Sequence, residues 1–255
     1  KSICITSSQA GETKTTLSIN LAYIFATKYN RVLLIDCDLR KNTLHKYMGL
    51  SNKHGLTDAL LEYRQTKKLN VEYFQSVNDP SFAGTMAVLT SGIHIPNPSE
   101  LLGSHVFKDY INELKKSFDF IIIDCPPSLN MLTINAMTTA DTVLVPIQCE
   151  YYALEGLSQL MHTIELVQER LNPELEMEGV VFTMYDARTN LSLQVVENVK
   201  DSLDQNIYKT IIPRNVRLAE EPSYGMPINY YDKRSTGAES YRLLADEVIH
   251  RGDEE

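Results

Sequence analysis

Three groups of residues in this chain could do chemistry together. The first is Ser7-Ser8-Gln9-Ala10-Gly11-Glu12-Thr13-Lys14-Thr15-Thr16. It follows an apolar run and precedes a helical pattern with Leu17, Leu21, Ile24 and Phe25 on one face. A loop placed between a strand and a helix N-terminus offers backbone N–H groups and the helix dipole to an anion. The pattern GxxxxGK[ST] does this for phosphates; here Ser8 and Thr13 stand at its two glycines, with Lys14-Thr15 in place. Lys14 is then expected to reach the β- and γ-phosphates of a nucleotide, and the Thr15 hydroxyl to ligate Mg²⁺. Gln9, Ala10, Gly11, Glu12, Thr13 and Thr16 would complete the cradle. Taken alone, the same loop also fits a plain Ser/Thr helix cap.

The second and third groups are carboxylates. The segment from Arg31 ends in Asp36-Cys37-Asp38, and the segment from Phe118 ends in Asp124-Cys125-Pro126-Pro127. In parallel sheets, ligands bind beyond the carboxyl ends of the strands. All three strands would therefore aim polar tips at one place. A carboxylate there needs a cation, which Mg²⁺ held by phosphate supplies. Thr15, Asp36, Asp38 and Asp124 are thus the candidate metal residues. The competing reading treats the aspartates as caps and loop formers; the order of the three motifs favours one shared site.

The elements that must position these groups follow from the apolar runs Ser2–Thr6, Arg31–Asp36, Met86–Thr90, Phe118–Asp124, Thr142–Ile147, Gly179–Met184 and Tyr208–Pro213. Most are continuously apolar, as strands covered on both faces are. Helical spacing fills the gaps. Leu154, Leu157, Leu160, Met161, Ile164, Val167 and Leu171 mark one long amphipathic helix. Thr236 and Glu239 form an expected capping box for the last helix. Strand–helix alternation predicts an α/β fold, a doubly wound, mostly parallel sheet with helices on both faces. The polar stretch from Arg64 to Gly84 reads as an irregular insertion. Residues 1–255 read as a single domain.

Composition sets outer limits. The chain has 255 residues, 43% of them hydrophobic, with 33 Asp+Glu against 24 Lys+Arg and a formal charge of −9. That excludes a disordered chain and a small disulfide scaffold. The acidic balance argues against wholesale coating of nucleic acid but leaves room for a local basic patch. Cys4, Cys37, Cys125 and Cys149 form no CxxC pair and read as buried thiols of a reducing compartment. The six histidines show no HExxH spacing. No apolar run approaches the roughly 20 residues of a membrane span, and no signal peptide is visible.

The three motifs, in this order, resemble the deviant-Walker ATPases of the ParA/MinD superfamily. Residues 118 to 250 are similar to chromosome-partitioning ParA (Soj) proteins: Asp124-Cys-Pro-Pro-Ser-Leu129, Pro146 to Leu160, Met184-Tyr-Asp-Ala-Arg-Thr-Asn-Leu191, Ile212-Pro-Arg-Asn-Val-Arg-Leu-Ala-Glu220 and Tyr231 to Glu239. The front resembles bacterial tyrosine kinases of capsule synthesis, which share the fold: Thr6 to Glu12, Ile35-Asp-Cys-Asp-Leu-Arg40, Leu50 to Leu56 and Ile95-Pro-Asn-Pro-Ser-Glu-Leu-Leu-Gly-Ser104. The chain reads as a mosaic, kinase-like in front and partition-like behind.

The resemblance implies a P-loop NTPase fold with ATP and Mg²⁺ as cofactors. Lys14, Asp38 and Asp124 would be catalytic: Lys14 on phosphate, Asp124 acting on Mg²⁺ through water, Asp38 supporting hydrolysis. Asp36 would assist the metal, and Pro213, Arg214 and Asn215 would form the adenine-side loop. It also implies an ATP-dependent homodimer, non-specific binding of double-stranded DNA through Arg188, Arg214 and Arg217, and a ParB-like activator. The setting would be the cytoplasm, on the nucleoid. ParA-type loops carry a signature lysine where this chain has Gln9, an amide that cannot neutralise transition-state charge, so slow turnover is expected. Thr13 is a second departure, since that position favours glycine. The acidic tail from Leu243 lacks the basic membrane helix of MinD-type proteins, and no membrane contact is expected. The alternatives are a capsule-type tyrosine kinase domain, opposed by the absence of tyrosine after Tyr241, and a nucleotide-gated scaffold with little turnover. Tyr151-Tyr152 and Tyr230-Tyr231 read as packing residues.

Overall fold

The computed structural model describes every residue except 10, 29–30, 127–129, 151–152, 204–205 and 252–255. Among the described residues the strands are β1 (Ser2–Ile5), β2 (Arg31–Asp36), β3 (Gln75–Val77), β4 (Thr85–Leu89), β5 (Phe120–Asp124), β6 (Thr142–Gln148) and β7 (Glu176–Thr183). They form one sheet in the order β3-β4-β2-β5-β1-β6-β7. Every pairing is parallel except β3 with β4. The non-consecutive neighbours require crossovers, and helices supply them: α1 (Lys14–Ala26), α2 (Leu44–Tyr47), α3 (Leu56–Thr66), α4 (Pro98–Leu102), α5 (His105–Leu114), α6 (Met131–Met137), α7 (Ala153–Arg170), α8 (Asn190–Ser202), α9 (Val216–Tyr224), α10 (Ile228–Tyr231) and α11 (Thr236–Arg251).

The side-chain alternation of each strand splits the core into two layers. Ile3 and Ile5 of β1 pack with α1, α10 and α11 through Leu21, Phe25, Ile228, Tyr241 and Leu244. Cys4, between them in sequence, faces the other layer with α3, α5, α6 and α7. β1, β2 and β5 are covered on both faces, which is why they read as unbroken apolar runs. Their C-terminal ends are level: Ile5 and Asp36 both pair with Asp124. That register sets two carboxylates and the phosphate-type loop on one edge.

Six of the seven expected strands are present, with ends shifted by a few residues. Tyr208–Pro213 is not a strand; isolated bridges lie only at its ends, Ile207 just before it with Val180 of β7, and Pro213 with Tyr185, two residues past β7. The reason is competition for its backbone donors. The Lys209 and Thr210 amides donate to the Glu247 carboxylate at 2.8 and 3.1 Å instead of extending a ladder, and Pro213 has no N–H to give. The polar insertion contains a short antiparallel strand, β3, after the end of α3 and a turn of 3-10 helix at Val71–Tyr73. The last helix is capped one residue earlier than expected. Ser235 Oγ accepts from the Ala238 amide at 3.2 Å, while the Thr236 hydroxyl accepts from Asn215 Nδ2 at 2.7 Å. Leu171 lies past the end of α7 and is exposed. Tyr230 is also exposed; Tyr231 stacks on Tyr224 with centroids 4.7 Å apart. Tyr151 and Tyr152 fall outside the described residues. All four cysteines are free and buried, with Cys4 and Cys125 Sγ atoms 3.3 Å apart. No helix among the described residues is long and apolar enough to cross a membrane.

Candidate functional site

Among the described residues of the segment between β1 and α1, Gly11 (φ 86°) and Thr13 (φ 62°) are left-handed. Glycine adopts this region freely, but a β-branched residue does so at a cost of about 1–2 kcal/mol. Thr13 is the N-cap of α1, yet its side chain makes no capping bond, and its buried Oγ1 has no hydrogen-bond partner. The loop is tied down elsewhere. Glu12 is buried, and its Oε2 accepts from the Gln9 amide at 2.8 Å and from Ser8 Oγ at 3.3 Å. Gln148 at the end of β6 donates to the Gly11 carbonyl. Behind the loop lies Gly156 of α7, where an added Cβ would come within 2.4 Å of Ser8 Oγ. Glycine there lets the helix approach the loop closely.

Lys14 opens α1 and is only 6% exposed. Its Nζ donates to Ser7 Oγ at 2.6 Å and to the Gln9 carbonyl at 3.0 Å. Burial lowers its pKa, and the carboxylates of Asp124 and Glu12 pull the other way. One turn of helix sits over the end of β5. Thr15 Oγ1 donates to Asp124 Oδ2 at 2.8 Å and Ser18 Oγ donates to Asp124 Oδ1 at 3.1 Å. Burial pushes Asp124 up to about 6, against the pull of those two hydroxyls and of Lys14. Asp36 is buried beside it; its Oδ1 accepts from the Asp38 amide at 3.0 Å, while Oδ2 has no hydrogen-bond partner. Burial, with Asp124 nearby, raises the Asp36 pKa well above the carboxylate range. Asp38 Oδ1 accepts from the amides of Arg40 and Lys41 at 3.3 and 3.0 Å.

A cleft of about 280 Å³ lies over this arrangement, lined by Gly11, Thr13, Lys14, Thr15, Thr16, Asp38, Lys41, Thr43, Tyr47 and Cys125. The expected residues Gly11, Thr13, Lys14, Thr15, Thr16 and Asp38 therefore line one cleft; Asp36 and Asp124 do not line it but are buried at neighbouring strand ends, with Asp124 bonded to Thr15. Ala10 lies outside the described residues. Gln9 and Glu12 shape the loop without lining the cleft. Lys41, Thr43 and Tyr47 also line the cleft. Along the chain only Lys41 and Thr43 carry any signal, their closeness to Asp38, because a polar loop and a four-residue helix have no periodic pattern.

Pro213, Arg214 and Asn215 do not line this cleft. They lie beside the β7 end, where the Arg214 amide donates to the Tyr185 carbonyl at 2.8 Å. Asn215 caps α9, accepting from the Arg217 amide at 2.8 Å. The same place gathers the other arginines singled out. Arg188 is paired through Nε and Nη2 with Asp186 at 2.8 and 2.7 Å, an arrangement that holds the Asp186 carboxyl well below its ordinary range. Arg217 pairs with Glu220 at 2.9 Å and Asp232 at 3.4 Å. Arg214 is exposed and has no ion pair among the described residues.

A family model described as an AAA domain matches residues 1–177. The chain is 44% identical to the sporulation initiation inhibitor protein Soj of Bacillus subtilis, over 99% of both proteins. It is 42% identical to the chromosome partitioning protein ParA of Myxococcus xanthus, covering 98% of this chain and 88% of that one. The chain belongs to the ParA/Soj family of ATPases, in the ParA/MinD superfamily. The ParA alignments run through the kinase-like front half as well as the back. Among solved structures, the cobyrinic acid a,c-diamide synthase of Mycobacterium smegmatis with bound ADP and magnesium superposes with a TM-score of 0.80 at 28% identity. It covers 99% of this chain and 95% of that one.

Proposed function

We propose that this ParA-family ATPase is a partition ATPase, acting as one domain over residues 1–255. It binds Mg·ATP in the cleft at Lys14, closes as an ATP-dependent homodimer through that face, and then holds duplex DNA non-specifically. A ParB-like protein stimulates hydrolysis, and the cycle positions plasmid or chromosome cargo on the nucleoid. The observation that carries this reading is the buried Lys14 at a helix N-terminus, with Thr15 hydrogen-bonded to Asp124 beneath one cleft.

The residues present suit Mg²⁺. Thr15 spends its proton on Asp124, which leaves its oxygen lone pairs for a cation. The partnerless Asp36 Oδ2 is a second buried oxygen that no protein group satisfies. Among the described residues no three His, Cys, Asp or Glu side chains converge as a metal cage. That suits a cation held mainly by phosphate and water with one or two carboxylates. When bound, Mg²⁺ neutralises charge on the phosphates. Lys14 and the amides of Thr13 to Thr16 hold the phosphate chain, Asp124 steadies Thr15, and Asp38 orients the attacking water. Pro213, Arg214 and Asn215 serve the adenine side, and Arg188, Arg214 and Arg217 meet DNA phosphates. Gln9 offers an amide where a cation would serve catalysis better, so turnover is slow.

The test follows the fate of γ-labelled ATP with Mg²⁺, with and without duplex DNA. Release as inorganic phosphate, faster with DNA, is the expected result. Label on protein tyrosine would move the assignment to the kinase reading. Label staying in bound ATP would make the protein a nucleotide-gated scaffold. A rate equal to that of lysine-bearing relatives would remove the role given to Gln9.

A further inference from the structure

We propose that Lys41 is a phosphate-binding residue of the cleft, acting from the same chain on the terminal, transferring phosphoryl group. The inference rests on the nucleotide reading above. It starts from an imbalance of charge. Asp38 lines the cleft and Asp124 is buried beneath it, bonded to Thr15, and a nucleoside triphosphate adds more negative charge. Lys14 is engaged by Ser7 and the Gln9 carbonyl and interacts electrostatically with Asp124. Gln9, in the same loop, is neutral. The other cation lining the cleft is Lys41.

Its placement fits that task. The cleft has two walls, the loop and first turn of α1 (Gly11 and Thr13 to Thr16) and the segment after β2 (Asp38, Lys41, Thr43 and Tyr47). The first wall grips phosphate by amides and Lys14. Lys41 stands on the second, in the stretch that also carries Asp38. Its backbone is fixed there, because the Lys41 amide donates to Asp38 Oδ1 at 3.0 Å. Its side chain is exposed and has no ion pair or hydrogen bond among the described residues, so the ammonium is free to meet an incoming anion. Arg40, the preceding cation, shares the Asp38 carboxylate through its amide but does not line the cleft. The carboxylate that would orient water and the cation that would meet the transferring phosphoryl group are thus set three residues apart by one turn.

The experiment uses the full chain, Lys41→Met and Lys41→Arg. Calorimetric binding of Mg·ATP and Mg·ADP is measured beside steady-state hydrolysis. Removing the charge is expected to weaken Mg·ATP about tenfold and to lower kcat by a similar factor, less than the roughly hundredfold of a buried donor because Lys41 is solvated. Mg·ADP affinity should stay within about twofold, since the terminal phosphate is missing. Lys41→Arg should keep most of the ATP affinity. Equal weakening of ATP and ADP would overturn the assignment to the terminal phosphate, and unchanged ATP affinity and kcat in Lys41→Met would overturn any role. Should Lys41→Met not fold, Lys41→Gln answers the same question. If the wild-type chain binds neither nucleotide, the functional reading itself falls and this inference with it.

Discussion

Thr15 Oγ1 donates a 2.8 Å hydrogen bond to Asp124 Oδ2, joining the first turn of α1 to the end of β5 across 109 residues of sequence. Ser18, one turn on, donates to the other oxygen of the same carboxylate. The two bonds orient a buried aspartate under the cleft. Thr15→Val keeps the branched shape and removes only the hydroxyl. It is expected to cost about 1 kcal/mol of stability but at least tenfold in Mg²⁺-dependent nucleotide affinity, with little change when Mg²⁺ is absent. Titration calorimetry with and without the metal separates the two effects.

Thr13 is strained, and its hydroxyl makes no bond that offsets the strain. Its φ of 62° and its partnerless buried hydroxyl both argue that glycine fits better. Thr13→Gly should stabilise the protein by roughly 1 kcal/mol, after the added entropy of the unfolded chain is subtracted. For a chain of this size that is about 2–4 °C in Tm. A lower Tm in a thermal melt would show that Thr13 contributes contacts that outweigh the strain.

Glu221 of α9 gives the protein a pH dependence of its own. It is buried against α1, its Oε1 accepting from Asn20 Nδ2 at 2.9 Å and its Oε2 partnerless, with Tyr241 of α11 nearby. Burial pushes its pKa up from 4.5 to about 8, and the Asn20 bond offsets only part of that. Between those two values the folded state holds a proton that the unfolded state has lost. Stability should therefore fall as pH rises from about 4.5 to about 8, by on the order of a few kcal/mol, and level off above. Glu221→Gln should flatten that slope and melt higher than wild type at pH 8. Parallel slopes in the two proteins would remove Glu221 as the cause.

Arg214 should matter most among the three arginines proposed to meet DNA. Arg188 and Arg217 are already paired with Asp186 and with Glu220 and Asp232, and must give up those contacts to reach a phosphate. Arg214→Ala is expected to weaken duplex binding more than Arg217→Ala and to reduce the salt slope by about one. Binding isotherms over a salt series test the order.

The fold class was legible along the chain, and so were the residues that meet at the candidate site. β1, β2 and β5 are buried on both faces, so their composition is dictated locally and reads as continuous apolar runs. Asp36 and Asp124 end β2 and β5, Asp38 follows two residues on, and Lys14-Thr15 open the helix after β1, so the parallel topology sets them on one edge of the sheet. Tertiary structure decided the rest, because it rests on competition between distant groups. Tyr208–Pro213 has strand composition, but Glu247 of α11 takes its amides. Ser235 rather than Thr236 caps α11, since Asn215 claims the threonine hydroxyl. Thr13 is held left-handed in a loop pinned by Glu12 and Gln148. Lys41 enters the cleft because the chain turns at Asp38 to bring it there. Which donor meets which acceptor across a hundred residues depends on geometry that spacing along the chain does not carry.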